Sequence, residues 1–202
     1  MSHTEAQLMQ VPEGEETRQP ISEDNPLSVF VENTSVPVKG NVGGYFRSVL
    51  TEVTRPADTT AYALYDAIGP TAAAVWKFPN CGRVIGGAGQ IISATLATDQ
   101  VANVSTYRLY LYNAPPTAIA DNAECTWLYA NLASYQGFID FPALVKDSTS
   151  STGAKIELVG SLLNFVCAGD RNLYGLLQIT LTGAFTPASG QKFSLLLGVQ
   201  QD

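Results

Sequence analysis

The chain has a single histidine, His3, and it stands in a polar stretch far from the rest of the sequence's structural signals. Ser-His-Asp and Cys-His machinery therefore has no base in the body of the chain. Cysteine is scarce too. Cys81, Cys125 and Cys167 are three in number, far apart, and no two sit at a metal-ligand or thioredoxin-type spacing. Neither a zinc cluster nor a disulfide framework is indicated, and the three read as buried free thiols of a chain made in a reducing cytoplasm. No apolar run approaches the roughly 20 residues of a membrane span, and no charged-then-apolar signal pattern opens the sequence, so no membrane partner is expected. Charged residues make up only 14%, against the roughly 25% usual in soluble domains. A surface this poor in charge tends to be covered in part by partners.

What charge there is lies unevenly. Residues 1–32 carry seven acids and one base, so this stretch holds −6 of the total −7. The remainder is nearly neutral, and neither part offers the basic footprint that phosphate neutralisation needs. No nucleic-acid partner is expected. Gly86-Gly87-Ala88-Gly89 lacks the Lys-Ser/Thr of a phosphate loop and runs into a strand pattern, so no cofactor is expected either. The body's carboxylates are scattered through turns, and Asp58, Asp121 and Asp170 read as local turn stabilisers. No enzyme is indicated, and no catalytic, cofactor or metal residue is assigned.

Residues 1–40 form an extended acidic arm and residues 41–202 the body. The first 25 residues are too polar to offset their ordering entropy. Leu27, Val29, Phe30 and Val31 then form a short apolar strand at the end of that tether, able to complete its own sheet or to pair with a neighbour's edge. In the body, Val104 to Tyr112 organises the pattern. Tyr107, Leu109 and Leu111 face inward, while Arg108, Tyr110 and Tyr112 face outward with flat apolar area and polar tips. That outward set reads either as an interface or as a half-wet edge with cross-strand tyrosine pairs.

Other expectations follow the same alternation. Ile92, Ala94 and Leu96 share one face; Asp121 to Tyr135 is the only stretch with a helical signal, a capping-box spacing of Asp121 and Glu124, although Cys125–Tyr129 fits a strand equally well; and the segments around Leu177 and Leu195 form a hairpin. Trp76 and Trp127 read as buried core, with a sugar groove as the alternative. Leu109, Leu111, Phe165, Leu177, Ile179, Leu195 and Leu197 are the predicted core. Many short strands with frequent turn signals and hardly a helix predict an all-β fold, an antiparallel β-sandwich with jelly-roll topology and an extended N-terminal arm.

Several segments together resemble small structural proteins of tailed bacteriophages and prophages. These are Val53-Thr54-Arg55-Pro56-Ala57-Asp58-Thr59-Thr60-Ala61-Tyr62, Ile85–Ile91, Arg108–Tyr112 followed by Ala120-Asp121-Asn122-Ala123, Gly137–Pro142, Arg171–Gly175 and the Phe185–Gly190 turn. The resemblance spans residues 53–200 and leaves out the arm. It implies a virion protein made in the bacterial host cytoplasm, a jelly-roll cement (decoration) protein on the capsid exterior. Its implied partners are the major capsid protein and further copies of itself, a trimer ahead of a dimer. Leu27, Val29, Phe30, Val31, Arg108, Tyr110 and Tyr112 are the candidate interface residues. The alternatives are a tail or head-fibre module binding a host-surface glycan, and a glycan hydrolase on the same sandwich.

Overall fold

The computed structural model describes residues 45–70, 72–101, 105–146, 148–157, 162–180 and 185–202. The arm residues Leu27, Val29, Phe30 and Val31 lie outside them, as do Val104, Leu181 and Thr182. Among the described residues, eleven strands follow in order: β1 (Tyr45–Thr54), β2 (Ala67–Ile68), β3 (Trp76–Phe78), β4 (Ala88–Thr98), β5 (Tyr107–Tyr112), β6 (Tyr135–Phe141), β7 (Val145–Lys146), β8 (Thr152–Glu157), β9 (Leu163–Val166), β10 (Leu173–Ile179) and β11 (Lys192–Gln201). All pair antiparallel, in two sheets.

The first sheet runs β1-β11-β4-β8-β7, and β9 pairs farther along the same β4. The second runs β2-β10-β5-β6, and β3 pairs farther along β10. When β2 with β3, and β8 with β9, are each counted as one interrupted strand, the sheets read β1-β11-β4-β8 and β2-β10-β5-β6, the strand order of a jelly roll, with β7 added at the edge of the first. The expected sandwich and its topology are both present. The predicted hairpin of the last two strands is not. β10 lies in the second sheet and β11 in the first, so the turn between them carries the chain across the sandwich.

The core lies between the sheets. Leu109, Leu111, Leu177, Ile179, Leu195 and Leu197 are fully buried there, together with Phe165, as the alternation predicts. One position differs. Ile91, not Ile92, joins Ala94 and Leu96 in the core. β11 places Gly198 opposite Ser93 and Val199 opposite Ile91, so Ile92 is an extra residue in a β-bulge that reverses the parity of β4. Gly198 suits that point, since a Cβ there would force the Ser93 hydroxyl to turn away.

β10 is buried on both faces. Leu173, Leu177 and Ile179 enter the sandwich core. Tyr174 and Leu176 enter a second cluster with Ala67, Tyr112 and Cys125, against which Tyr110, Ile119 and Tyr135 pack. The connection 113–134 therefore lies over part of the outer face of the second sheet. It is not the predicted helix. Only Tyr129–Ser134 is helical, as a short 3-10 turn, because the Asp121 carboxylate is engaged elsewhere instead of capping backbone N–H groups.

Candidate functional site

The outer face of the second sheet holds the body's candidate interface residues. Arg108 and Asp140 are cross-strand partners on β5 and β6, and so are Tyr110 and Phe138. The Arg108 guanidinium donates from Nε and Nη2 to the two Asp140 oxygens at 2.6 and 2.8 Å and lies 4.0 Å from the Phe138 ring centre. A bidentate pair stacked on a ring is a fixed feature, unlike an ordinary surface lysine. The Asp140 hydrogen bonds hold the Arg108 pKa above its ordinary value. Tyr110 donates to Gln178 Oε1 at 3.3 Å.

Tyr112 departs from the expected outward exposure. It is completely buried in the second cluster, its ring 5.7 Å from that of Tyr135, and burial raises its pKa. Its hydroxyl has no hydrogen-bond partner among the described residues. Period-two alternation places Tyr112 on the correct face but carries no information about the long connection that folds over that face.

Beside this covered area lies an open basin of about 490 Å³. Arg108, Tyr110 and Gln178 contribute from the sheet, and Tyr65, Glu124 and Trp127 from the segments above it. Backbone bonds tie those segments together: Cys125 N–H donates to Tyr65 O at 2.7 Å, and Tyr65 N–H donates to Ile179 O at 3.0 Å. The Gln178 amide, 5% exposed, donates to Cys125 O at 2.9 Å and so fixes the bottom of the basin. Tyr65 has φ 73°, a left-handed conformation that is costly for an aromatic residue. Trp76 is buried as expected, its indole donating to Ile68 O, but Trp127 is not core. It is 42% exposed at the basin wall, held edge-on to Tyr135. Tyr65 does not stand out in the sequence and Glu124 does so only as a capping residue, since what places them here is the bridge pairing Asp66 with Glu124.

A second constellation is structural. Arg55, 2% exposed, donates from Nη2 to Asp58 and Asp121 at 3.1 Å each, from Nε to the Tyr62 hydroxyl at 2.9 Å, and from Nη1 to the carbonyls of Asp58 and Ala188. Tyr62 in turn donates to Asp121, which also accepts from Gly69 N–H, and Tyr62 stacks on Phe185. Asp121 is thus a long-range hub and not the predicted local turn stabiliser. Asp58 and Asp170 do play that local part, accepting from the backbone N–H of Thr60 and Asn172. The Thr60 N–H and Arg55 hold the Asp58 carboxyl below its usual range. The three cysteines are free and buried as expected, and burial pushes Cys81 up to about 12 and Cys125 up to about 11.

Among the described residues, no group of three or more His, Cys, Asp or Glu is gathered where it could hold a metal ion. No family model matches the chain, and no curated protein matches it.

Proposed function

We propose that this protein is a structural component of a bacteriophage virion, a capsid cement protein whose sandwich body bridges adjacent capsid subunits while its arm lies on the shell or on a sister copy. The observation that carries this reading is the edge strand β1. Among the described residues it ends the first sheet, ten residues long, with Tyr45, Phe46 and Leu50 at 68, 65 and 60% exposed. Natural proteins seldom leave a long edge bearing large apolar side chains in water, because it is a template for pairing with another chain. β1 also follows directly on Gly40, Gly43 and Gly44, which join it to the acidic arm. A tether joined in sequence to such a strand raises the effective concentration of each contact, so that modest contacts can retain a subunit on a particle. The segment comparisons drawn from the sequence support the same class, and the body's work is binding, without catalysis.

Labelled protein imaged on particles by electron microscopy tests the reading. Copies spread over the whole shell are expected, and label confined to the tail or one vertex overturns it. Deleting residues 1–40 tests the arm. Once circular dichroism shows that the body still folds, the truncated protein should form smaller oligomers and leave particles more readily; equal assembly and retention would remove the arm from the mechanism.

A further inference from the structure

We propose that the basin on the outer face of the second sheet is a binding site for a neutral oligosaccharide. This goes beyond the cement reading and stands whether or not the protein coats a capsid. Three rings, Tyr65, Tyr110 and Trp127, line the basin, and among the described residues no ring contact joins any two of them. They are separate rings and not one stacked group. Separate faces suit successive sugar rings, whose C–H faces lie against aromatic planes while their hydroxyls turn outward. A compact cation would need the rings gathered about one point.

The polar groups point the same way. Pyranose hydroxyls need both donors and acceptors: the exposed Glu124 carboxylate accepts, and Arg108 Nη1, which Asp140 leaves unused, donates. Gln178, its amide spent on Cys125 O and Tyr110, forms the floor, and Arg108 is fixed by Asp140, so little ordering of these two side chains falls on binding. Electrostatics selects against anions. The Arg108 charge is matched by Asp140, whereas Glu124 makes no ion pair among the described residues. A sulfated, phosphorylated or sialylated ligand would meet uncompensated negative charge.

Size and rigidity agree. A volume of about 490 Å³ falls within the range of small-ligand clefts. Its open form admits an internal segment of a longer glycan. The left-handed Tyr65 is a local strain kept by two backbone hydrogen bonds, and such strain gathers where a side chain is being presented.

The test is isothermal titration calorimetry of the full chain with cellohexaose, maltohexaose, mannohexaose and chitohexaose at millimolar concentration, with a heparin hexasaccharide and choline as charged comparisons. At least one neutral hexasaccharide should bind. Trp127→Ala should weaken that binding by about tenfold or more, and Trp127→Phe, which keeps a flat face, should restore most of it. Because Trp127 is exposed, thermal unfolding of both variants should match the parent. Binding by none of the four neutral probes overturns the proposal. So does binding of the charged probes alone, or neutral binding that Trp127→Ala leaves unchanged.

Discussion

Arg55 shows how one side chain can hold three distant loops. Its partners lie at positions 58, 62, 121 and 188, so a single guanidinium joins the end of β1, the connection over the second sheet and the turn before β11. These positions fall in three separate stretches of the sequence, and one side chain joins them. Arg55→Leu should destabilise the body by about 3–5 kcal/mol, since it strands the Asp121 carboxylate, 3% exposed, without its cation. Urea unfolding measures this, and a loss below about 1 kcal/mol would show that the network is not holding the loops together. Lysine should not rescue, because a point charge cannot serve five acceptors in a plane. Little of this was legible in the sequence. Asp121 lies 66 residues from Arg55 and 59 from Tyr62, and no local pattern reports pairing at that distance. The core leucines were legible, because burial on one face leaves its mark every second residue.

At the scale of elements, alternation found strands but not their neighbours. β10 and β11 both alternate and are separated by a compact turn, which fits a hairpin as well as it fits a crossing between sheets. Only the partners distinguish the two: β10 pairs with β2, β3 and β5, and β11 with β1 and β4. The bulge at Ile92 likewise shifts parity with no local signal beyond Gly198 on the partner strand. The turn leading into β10 was read correctly, and it carries a pH dependence. Partial burial opposes the charged form of Asp170, but hydrogen bonds from Tyr174 and from the backbone and side chain of Asn172 outweigh it and hold the carboxyl below its ordinary value. A carboxyl lowered by folding contributes stability that is fully present above its unfolded value, about 3.9, and is lost as pH falls through the folded one. Asp170→Asn should therefore be less stable than the parent at neutral pH, with the gap closing on acidification below about pH 4. Denaturant midpoints across a pH series check this, and a gap that stays constant would mean that the charge of Asp170 is not involved.

At the scale of the whole molecule, the question is what covers a surface so poor in charge. The outer side of the first sheet gathers Phe46, Leu50 and Leu196, with Leu50 and Leu196 directly opposite one another on β1 and β11. The nearby ion pair, Lys192 with Glu52, is itself half exposed and adds little to stability. Large apolar side chains on an edge strand and its neighbour gain most when a second chain removes them from water, by about 25 cal/mol for each Å² of apolar surface. The full chain is therefore expected to be an oligomer, with the β1 edge buried in the contact. Phe46→Lys combined with Leu50→Lys places two charges on that ridge. Within one subunit the change should be nearly silent, since exposed substitutions of this kind usually fall within about 0.5 kcal/mol. Between subunits it should be severe, because each lysine must be desolvated without a partner or the contact must open. Sedimentation velocity should show the double variant shifted toward monomer while its melting temperature, measured on the dissociated protein, stays with the parent's. An unchanged oligomer would place the contact elsewhere, and the open edge would then be left for a chain other than its own copy.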